Sequence, residues 1–317
     1  MSDQNRADKN SFIKGRSPIL DVVVVGGGPG GLSAALVLGR SRRNVTVVDD
    51  GQPRNAVTLQ SHGFLSRDGI HPLVLRKAAR EQVVRYDGVT VVDDRVVHAE
   101  KTDRCFTSVT QNGQTLYSKK IIFATGVKDR LPEIPGIQEV YGRSVFLCPY
   151  CDGWERRDQP LALFGNGEEL FHFVKMIFHW SRDLILFTNG PSTLTAEEKQ
   201  ELSMRNIRLV ESPITKLEST DGQLERVVLD QGESIDRRGG FILDTRERQA
   251  CIIPEQLGVP RNKRGGYQTD DHGQTRIDGL FIIGDAKNGF SSLISAASEG
   301  YEIGIMINQE LIETAWR

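Results

Sequence analysis

The sequence predicts an α/β protein made of two dinucleotide-binding (Rossmann-like) units, each with three layers of helices and strands. Three observations predict it. A β-branched run at 21–25 flows into Gly26-Gly27-Gly28-Pro29-Gly30-Gly31, then into a helical stretch and a second strand ending in Asp49-Asp50. The pattern returns downstream, where Leu161-Ala162-Leu163-Phe164 meets Gly165-Asn166-Gly167. A further apolar strand stops at Gly284-Asp285. The length of 317 residues agrees, since a domain takes roughly 100–200 residues.

Strand 21–25 is continuous valine after Asp21, the pattern of a parallel strand covered on both faces. Gly26 allows a tight turn, Gly28 lets the backbone approach a pyrophosphate, and Gly31 lets the next helix, 32–40, lie close to the strand. That helix offers its amides and positive dipole end to a phosphate. Strand 45–48 closes the motif, and Asp49 is placed to accept from ribose hydroxyls, with Asp50 beside it. Residues 51–69 are polar and turn-like and hold Arg54, Asn55 and His62. His62 is either a surface loop histidine or a cofactor contact. Segment 72–86 has mixed charge at helical spacing and reads as an amphipathic surface helix. Short strands are expected at 89–92, 96–99, 107–111 and 116–119, with a hairpin turn at Asn112-Gly113. Strand 121–126 ends in Ala124-Thr125-Gly126, small enough to pass close to a cofactor.

In the second unit, strand 161–164 leads to a helix with Leu170, Phe173, Val174 and Ile177 on one face. Strands follow at 184–187, 206–210, 214–219, 224–229 and 241–244. Gly284-Asp285 brings a carboxylate and an amide to a sheet end, suited to a ribityl chain and pyrophosphate. Segment 292–314 reads as a long helix that starts with small residues.

Apolar residues are 38%, charged residues 26%, and the net charge is −2. That balance points away from nucleic acid and anionic membrane as partners. The apolar run at 19–25 is too short to span a bilayer. Residues 1–17 are polar, lack the apolar core of a signal peptide and read as a flexible tail. A cytoplasmic location follows, where structural disulfides are rare. Cys105 and Cys251 stand alone and are expected to pack in the interior.

The remaining two cysteines lie in Cys148-Pro149-Tyr150-Cys151-Asp152-Gly153, between the two glycine turns. Two thiols at this spacing can close a disulfide and reopen it by thiolate attack. Asp152 is placed to carry a proton to or from the departing thiol. Half of a zinc site is the alternative, but Cys105 and Cys251 lack the spacing to complete it. Trp154 is expected in the core and Trp316 at a helix end. A dithiol between two nucleotide units points to electron transfer between a flavin or nicotinamide and the thiol pair.

The order of glycine turn, Ala-Thr-Gly, Cys-x-x-Cys-Asp-Gly, second glycine turn and Gly-Asp resembles the low-molecular-weight thioredoxin reductases over nearly the whole chain beyond the tail. The resemblance implies an FAD domain made of 18–126 and 246–317. It implies a middle domain, 127–245, of NADPH-binding type that carries the thiols. The cofactor-binding candidates are then Gly26, Gly28, Pro29, Gly30, Gly31, Asp49, Asp50, Asn55, His62, Thr125, Gly126, Gly284 and Asp285. Cys151 would face the flavin, Cys148 would exchange with an external disulfide, and Asp152 would act as general acid and base. A homodimer is implied, with a thioredoxin-like protein or a small disulfide or dithiol as partner.

The chain departs from that family in four places. Leu170 replaces a small residue in the second turn and would obstruct close approach of helix and strand. The basic cluster that grips the NADPH 2′-phosphate is replaced by Thr188-Asn189-Gly190-Pro191, which removes the physical basis for choosing NADPH. Gln52-Pro53-Arg54-Asn55 replaces a Gly-Gly-Gln segment, and Ser291-Ser292-Leu293 stands where an Arg-Gln pair is usual. The expectation is an FAD-dependent dithiol/disulfide oxidoreductase that does not take electrons directly from NADPH. A ferredoxin-type donor, a gliotoxin-type dithiol oxidase passing electrons to oxygen, or a different nucleotide in the second unit would each fit. An ordinary NADPH-dependent reductase and a non-catalytic redox sensor are the other readings. Asp152 favours the reductases, since those oxidases carry His at that position.

Overall fold

The computed structural model of the chain describes residues 18–243 and 245–317; the expected tail, 1–17, and Asp244 lie outside the described residues. Strand β1 (Leu20–Val25) is buried along its valines and turns at Gly28 into helix α1 (Pro29–Arg40). Pro29 takes the first helical position, where a missing N–H leaves no bond unmade. Strand β2 (Val45–Asp49) lies parallel to β1 with Val45 opposite Val22. A 3-10 turn at Arg54–Val57 leads to α2 (Pro72–Val83) and to β3 (Val89–Asp93), parallel to β2. Strands β4 (Val96–Lys101), β5 (Phe106–Thr110) and β6 (Thr115–Phe123) form an antiparallel meander whose last strand returns parallel to β1. The two strands expected at 116–119 and 121–126 are thus one. Lys119 and Lys120 do not interrupt it, because Lys119 pairs with Asp21 at 2.7 Å and Lys120 with Glu310 at 2.6 Å.

The chain then crosses through β7 (Val127–Lys128), α3 (Ile137–Val140), β8 (Val145–Phe146) and α4 (Pro149–Asp152). The second parallel sheet follows with β9 (Leu161–Phe164), α5 (Leu170–Ile177), β10 (Leu184–Phe187), α6 (Ala196–Met204) and β11 (Arg208–Val210). Helix α6 was not apparent from its polar sequence; a capping box of Thr195 and Glu198 starts it. Asn206 leaves it at φ 58°, so the next strand begins later than expected. Strands β12 (Ile214–Thr220), β13 (Gln223–Leu229) and β14 (Ser234–Asp236) form a separate antiparallel sheet. Strand β15 (Gly239–Ile242) enters between β9 and β8, giving the parallel order β11-β10-β9-β15-β8.

Strand β16 (Arg248–Gln249) runs antiparallel to β7, so the two crossings between the sheets form one ribbon. After α7 (Ile253–Gln256), strand β17 (Leu280–Ile282) joins the first sheet parallel to β6. Short α8 (Asp285–Asn288) and long α9 (Leu293–Trp316) close the chain.

Each parallel sheet is covered on both faces. Val22, Val24, Leu38, Phe281, Ile303 and Ile307 pack between the first sheet and α1 and α9, and Val23, Phe106, Phe123 and Tyr267 fill its other face. A β-carbon on Gly300 would lie 2.0 Å from the Gly30 carbonyl oxygen, so the backbones of α9 and α1 touch. In the second unit Leu163, Leu170, Phe173 and Phe241 face α5 and α6, while Phe164, Phe187 and Val227 face the antiparallel sheet. Burying each such side chain stabilises the fold by about 1.5–3 kcal/mol before entropy is counted. Among the described residues, no helix is long and apolar enough to cross a membrane.

Candidate active site

The first glycine turn has the shape its sequence predicts. Gly26 lies at φ 106°, and a β-carbon there would meet the Ala124 carbonyl at 2.4 Å. A β-carbon on Gly31 would lie 2.0 Å from the Gly26 oxygen, which brings helix and strand together. No side chain caps α1, and the space before Gly28 is open. The Thr125 hydroxyl is buried with no protein partner. A β-carbon on Gly126 would lie 4.0 Å from that of Asp285, so the ends of β6 and β17 approach beside this turn. An uncapped helix end, an open glycine and an orphaned hydroxyl together fit the pyrophosphate and ribityl chain of a dinucleotide. Asp49 packs against Gly27 and pairs with Arg76. Asp50 pairs with Arg95 at 2.7 Å, and Asn55 donates to Ser61 at 3.4 Å.

Cys148 and Cys151 are joined in a disulfide with a Cα–Cα distance of 5.2 Å. Cys148 caps α4, its sulfur accepting from the Cys151 amide at 3.1 Å. That contact favours negative charge on Cys148 once the bond is opened. Asp152 follows within the same turn and is half-buried. Burial pushes its carboxyl up to about 7, with Glu155 adding to the rise and His62 and Arg156 opposing it. His62 lies beside this segment: its ring, 16% exposed, sits between Asp68 at 3.4 Å and Glu155 at 3.6 Å. Trp154 is 66% exposed and not in the core; the ring that packs against Gly153 is that of half-buried Trp180. Arg157 stacks on the Trp154 ring at 4.1 Å. Cys105 and Cys251 are half-buried, less enclosed than expected, since each sits at the margin of a core.

The second glycine turn differs from the first. Its left-handed residue is Gly167, at φ 120°, and not the first glycine. Leu170, at the place of Gly31, is fully buried in the apolar core and opens α5. The Gly167 amide is already engaged, donating to Asn166 Oδ1 and Thr193 Oγ1 at 3.1 Å each. The Thr193 hydroxyl donates back to the Gly167 carbonyl at 2.9 Å, and Asn166 Nδ2 donates to the Pro191 carbonyl at 2.8 Å. Exposed Glu168 and Glu169 precede α5. At the far edge, the Ser192 amide and Lys199 hold Glu211 down to about 2, so it is ionised.

The family model for pyridine nucleotide-disulphide oxidoreductases matches residues 20–300. The chain belongs to this family. It is similar to thioredoxin reductase aclD of Aspergillus oryzae, at 32% identity over 90% of this chain and 94% of that one. Its backbone matches that of Bacillus anthracis TrxB with a TM-score of 0.90 at 37% identity, covering 93% of this chain and 99% of that one. An oxidoreductase from Agrobacterium tumefaciens matches with a TM-score of 0.86 at 33% identity, over 93% and 99% of the two chains. The protein is a thioredoxin reductase-like flavoprotein, a flavin-dependent disulfide oxidoreductase.

Arg54, which the sequence pattern did not place among the site residues, lies at the end of the first sheet. Its guanidinium binds Asp129 at 3.1 and 2.6 Å, Asp285 at 2.8 Å and the Gly289 carbonyl at 3.3 Å, and lies over the Phe290 ring. Tyr141 and Thr245 donate to the same Asp129 at 3.0 and 2.8 Å. Burial works against the charge of Asp129, but the Arg54 bonds outweigh it and hold this carboxyl below its usual range. In Asp285 burial wins over Arg54 and the carboxyl is raised. Arg54 thereby ties the sheet-end carboxylate to Asp129, just past β7, and through Asp129 to Thr245 ahead of β16. The only trace in the sequence is its place in the atypical segment 52–55. The Asn166–Thr193 closure and the Glu155–His62 approach join residues too far apart for local spacing to show.

Proposed function

We propose that this oxidoreductase moves electron pairs between FAD and the Cys148–Cys151 pair without accepting hydride directly from NADPH. One observation carries the reading: the second glycine turn is closed by its own side chains. The Gly167 amide is engaged by Asn166 and Thr193, Glu168 and Glu169 precede the helix, and ionised Glu211 stands at the edge where a 2′-phosphate needs a cation. Each of these opposes a bound pyrophosphate or 2′-phosphate.

FAD supplies a two-electron redox centre when bound. Gly26, Gly28, Pro29, Gly30, Gly31, Asp49, Asp50, Asn55, Thr125, Gly126, Gly284 and Asp285 would hold it, in a domain made of 18–126 and 246–317. The middle domain, 127–245, brings the thiols. Cys148, favoured as thiolate by the Cys151 amide, exchanges with the external sulfur, and Cys151 exchanges on the flavin side. Asp152, near neutrality in its titration, both gives and takes the thiol proton. Relatives named thioredoxin reductase support a thioredoxin-like protein or a small disulfide or dithiol as partner. Electrons would enter from a ferredoxin-type donor or from an external dithiol. Exposed Ile294, Tyr301, Ile305 and Ile312 recur at sevens and fours along α9, which supports a homodimer. An anaerobic titration tests the reading: stoichiometric NADPH leaves the flavin oxidised, while an external dithiol reduces it. Rapid bleaching by NADPH would overturn it.

A further inference from the structure

We propose that His62, oriented by Asp68, is the proton port of the dithiol site, passing protons between solvent and the Glu155–Asp152 carboxyl pair. The inference rests on the roles given above to Cys148, Cys151 and Asp152.

The geometry begins in the loop after the 3-10 turn. Ser61 and Ile70 pair across it, the Ser61 amide donating to the Ile70 carbonyl at 2.8 Å and the Gly69 amide to the Ser61 carbonyl at 2.9 Å. Inside this closed loop the Gly63 amide holds Asp68 Oδ1 at 2.8 Å, and Asp68 Oδ2 faces His62 Nδ1 at 3.4 Å. A carboxylate on Nδ1 fixes the ring and leaves Nε2 to exchange protons. Here Nε2 is shielded from water and has no hydrogen-bond partner. It is aimed out of its own loop, at Glu155 Oε1, 3.6 Å away. A small movement of either group closes that gap to a hydrogen bond.

Glu155 belongs to the turn that continues α4, three residues beyond Asp152. The charged groups around His62 are therefore Asp68 from its own loop, and Asp152 and Glu155 from the dithiol segment, with Arg156 beside that carboxyl pair. The Arg156 guanidinium donates to the Arg143 carbonyl at 2.7 Å through one terminal nitrogen and lies over Phe146, while its Nε is buried without a partner. Asp68 is the most open group of this series, with 69% of its side chain exposed; Glu155 also reaches solvent, and half-buried Asp152 lies beyond it. A buried orphan nitrogen joining two carboxylates, one of them three residues from Asp152, can hand a proton from one to the other.

The chemistry needs such a relay. One dithiol and the Cys148–Cys151 disulfide give one new disulfide and two cysteine thiols. The first substrate thiolate bonds to Cys148 and breaks the Cys148–Cys151 bond, and Cys151 leaves with the electron pair. The second substrate thiolate then bonds to the first substrate sulfur and releases Cys148. Two protons leave the substrate thiols and reach the cysteines. When the cysteine pair later passes its two electrons to bound FAD and closes again, both protons leave the thiols, and what the reduced cofactor does not keep must depart to solvent. Asp152 takes them one at a time, and each cycle requires it to be reset. His62 is a positioning and relay residue here; it does not touch the sulfurs.

The test uses the whole FAD-loaded protein and dithiothreitol under anaerobic stopped flow, following flavin reduction from about pH 5.5 to about pH 9. His62→Gln, which keeps a hydrogen-bonding side chain, is expected to slow reduction by about tenfold or more. It should also move the pH profile, and added imidazole should restore part of the rate. Asp68→Asn should shift the profile in the same direction by less. An unchanged pH profile in His62→Gln overturns the inference, as does a uniform slowing that imidazole does not relieve. Wild-type protein that dithiothreitol cannot reduce would instead overturn the dithiol roles on which the inference stands.

Discussion

Replacing Asp152 by Asn removes a carboxyl without changing its shape, and the structure sets the size of the effect on stability. In the folded protein burial raises this group from 3.8 to about 7. Between those values the native state holds a proton that the unfolded chain has released, so stability falls as pH rises through that window. A rise of this size is worth at most about 4 kcal/mol. Asp152 is only half-buried and water returns part of that, which leaves about 2 kcal/mol. The Asn variant has no such group. Its stability relative to wild type should therefore increase by about 2 kcal/mol between about pH 4 and about pH 8. Urea unfolding of both oxidised proteins at the two pH values measures this directly. Reduction of the disulfide by dithiothreitol should meanwhile slow by about 100-fold at neutral pH. A stability difference that is the same at both pH values would refute the raised titration, and with it the argument that Asp152 is tuned to exchange protons.

Three further outcomes follow from the same contacts. Cys151→Ser should reduce disulfide turnover to background, and turnover that survives would remove the dithiol from the reaction. Arg54→Ala leaves Asp129 and Asp285 without their shared cation and should cost about 3 kcal/mol; a variant as stable as wild type in urea unfolding would show the triad to be incidental. Gly300→Ala forces α9 away from α1, because its β-carbon would lie 2.0 Å from the Gly30 oxygen. A loss of about 3 kcal/mol is expected, with lower flavin content after purification, and an unperturbed melting temperature would contradict the tight packing.

Local pattern carried most of the fold into view. The valine run of β1, the glycines after it, the strand before Gly284-Asp285 and the dithiol hexapeptide are all short-range signals, and each lies where its spacing implied. What stayed hidden depends on contacts between distant residues. Nothing near Lys119 says that Asp21 will neutralise it and let β6 run on. Leu170 announced that the second turn was altered, but only the folded chain brings Thr193 back onto the Gly167 amide. Trp154 reads as a core residue by type, yet it lies outside with Arg157 stacked on its ring, while Trp180 packs against Gly153. Among the candidate site residues, the glycines and cysteines stand out by type and spacing. Arg54, Asp129 and Glu155 are ordinary surface residues until the crossing ribbon and the dithiol turn meet the first unit.

The contact of α9 with α1 has a consequence during synthesis. Helix α1 spans Pro29–Arg40, and the helix that covers it spans Leu293–Trp316. The middle unit, by contrast, has all its strands once β15 has been made, at Ile242. Domains fold as units as the chain lengthens. The thiols therefore acquire their folded setting while the first sheet still lacks β17 and its helical cover. For that interval the dithiol turn stands beside a sheet that is still incomplete, and the loop of His62 that faces Glu155 belongs to that unfinished sheet's unit.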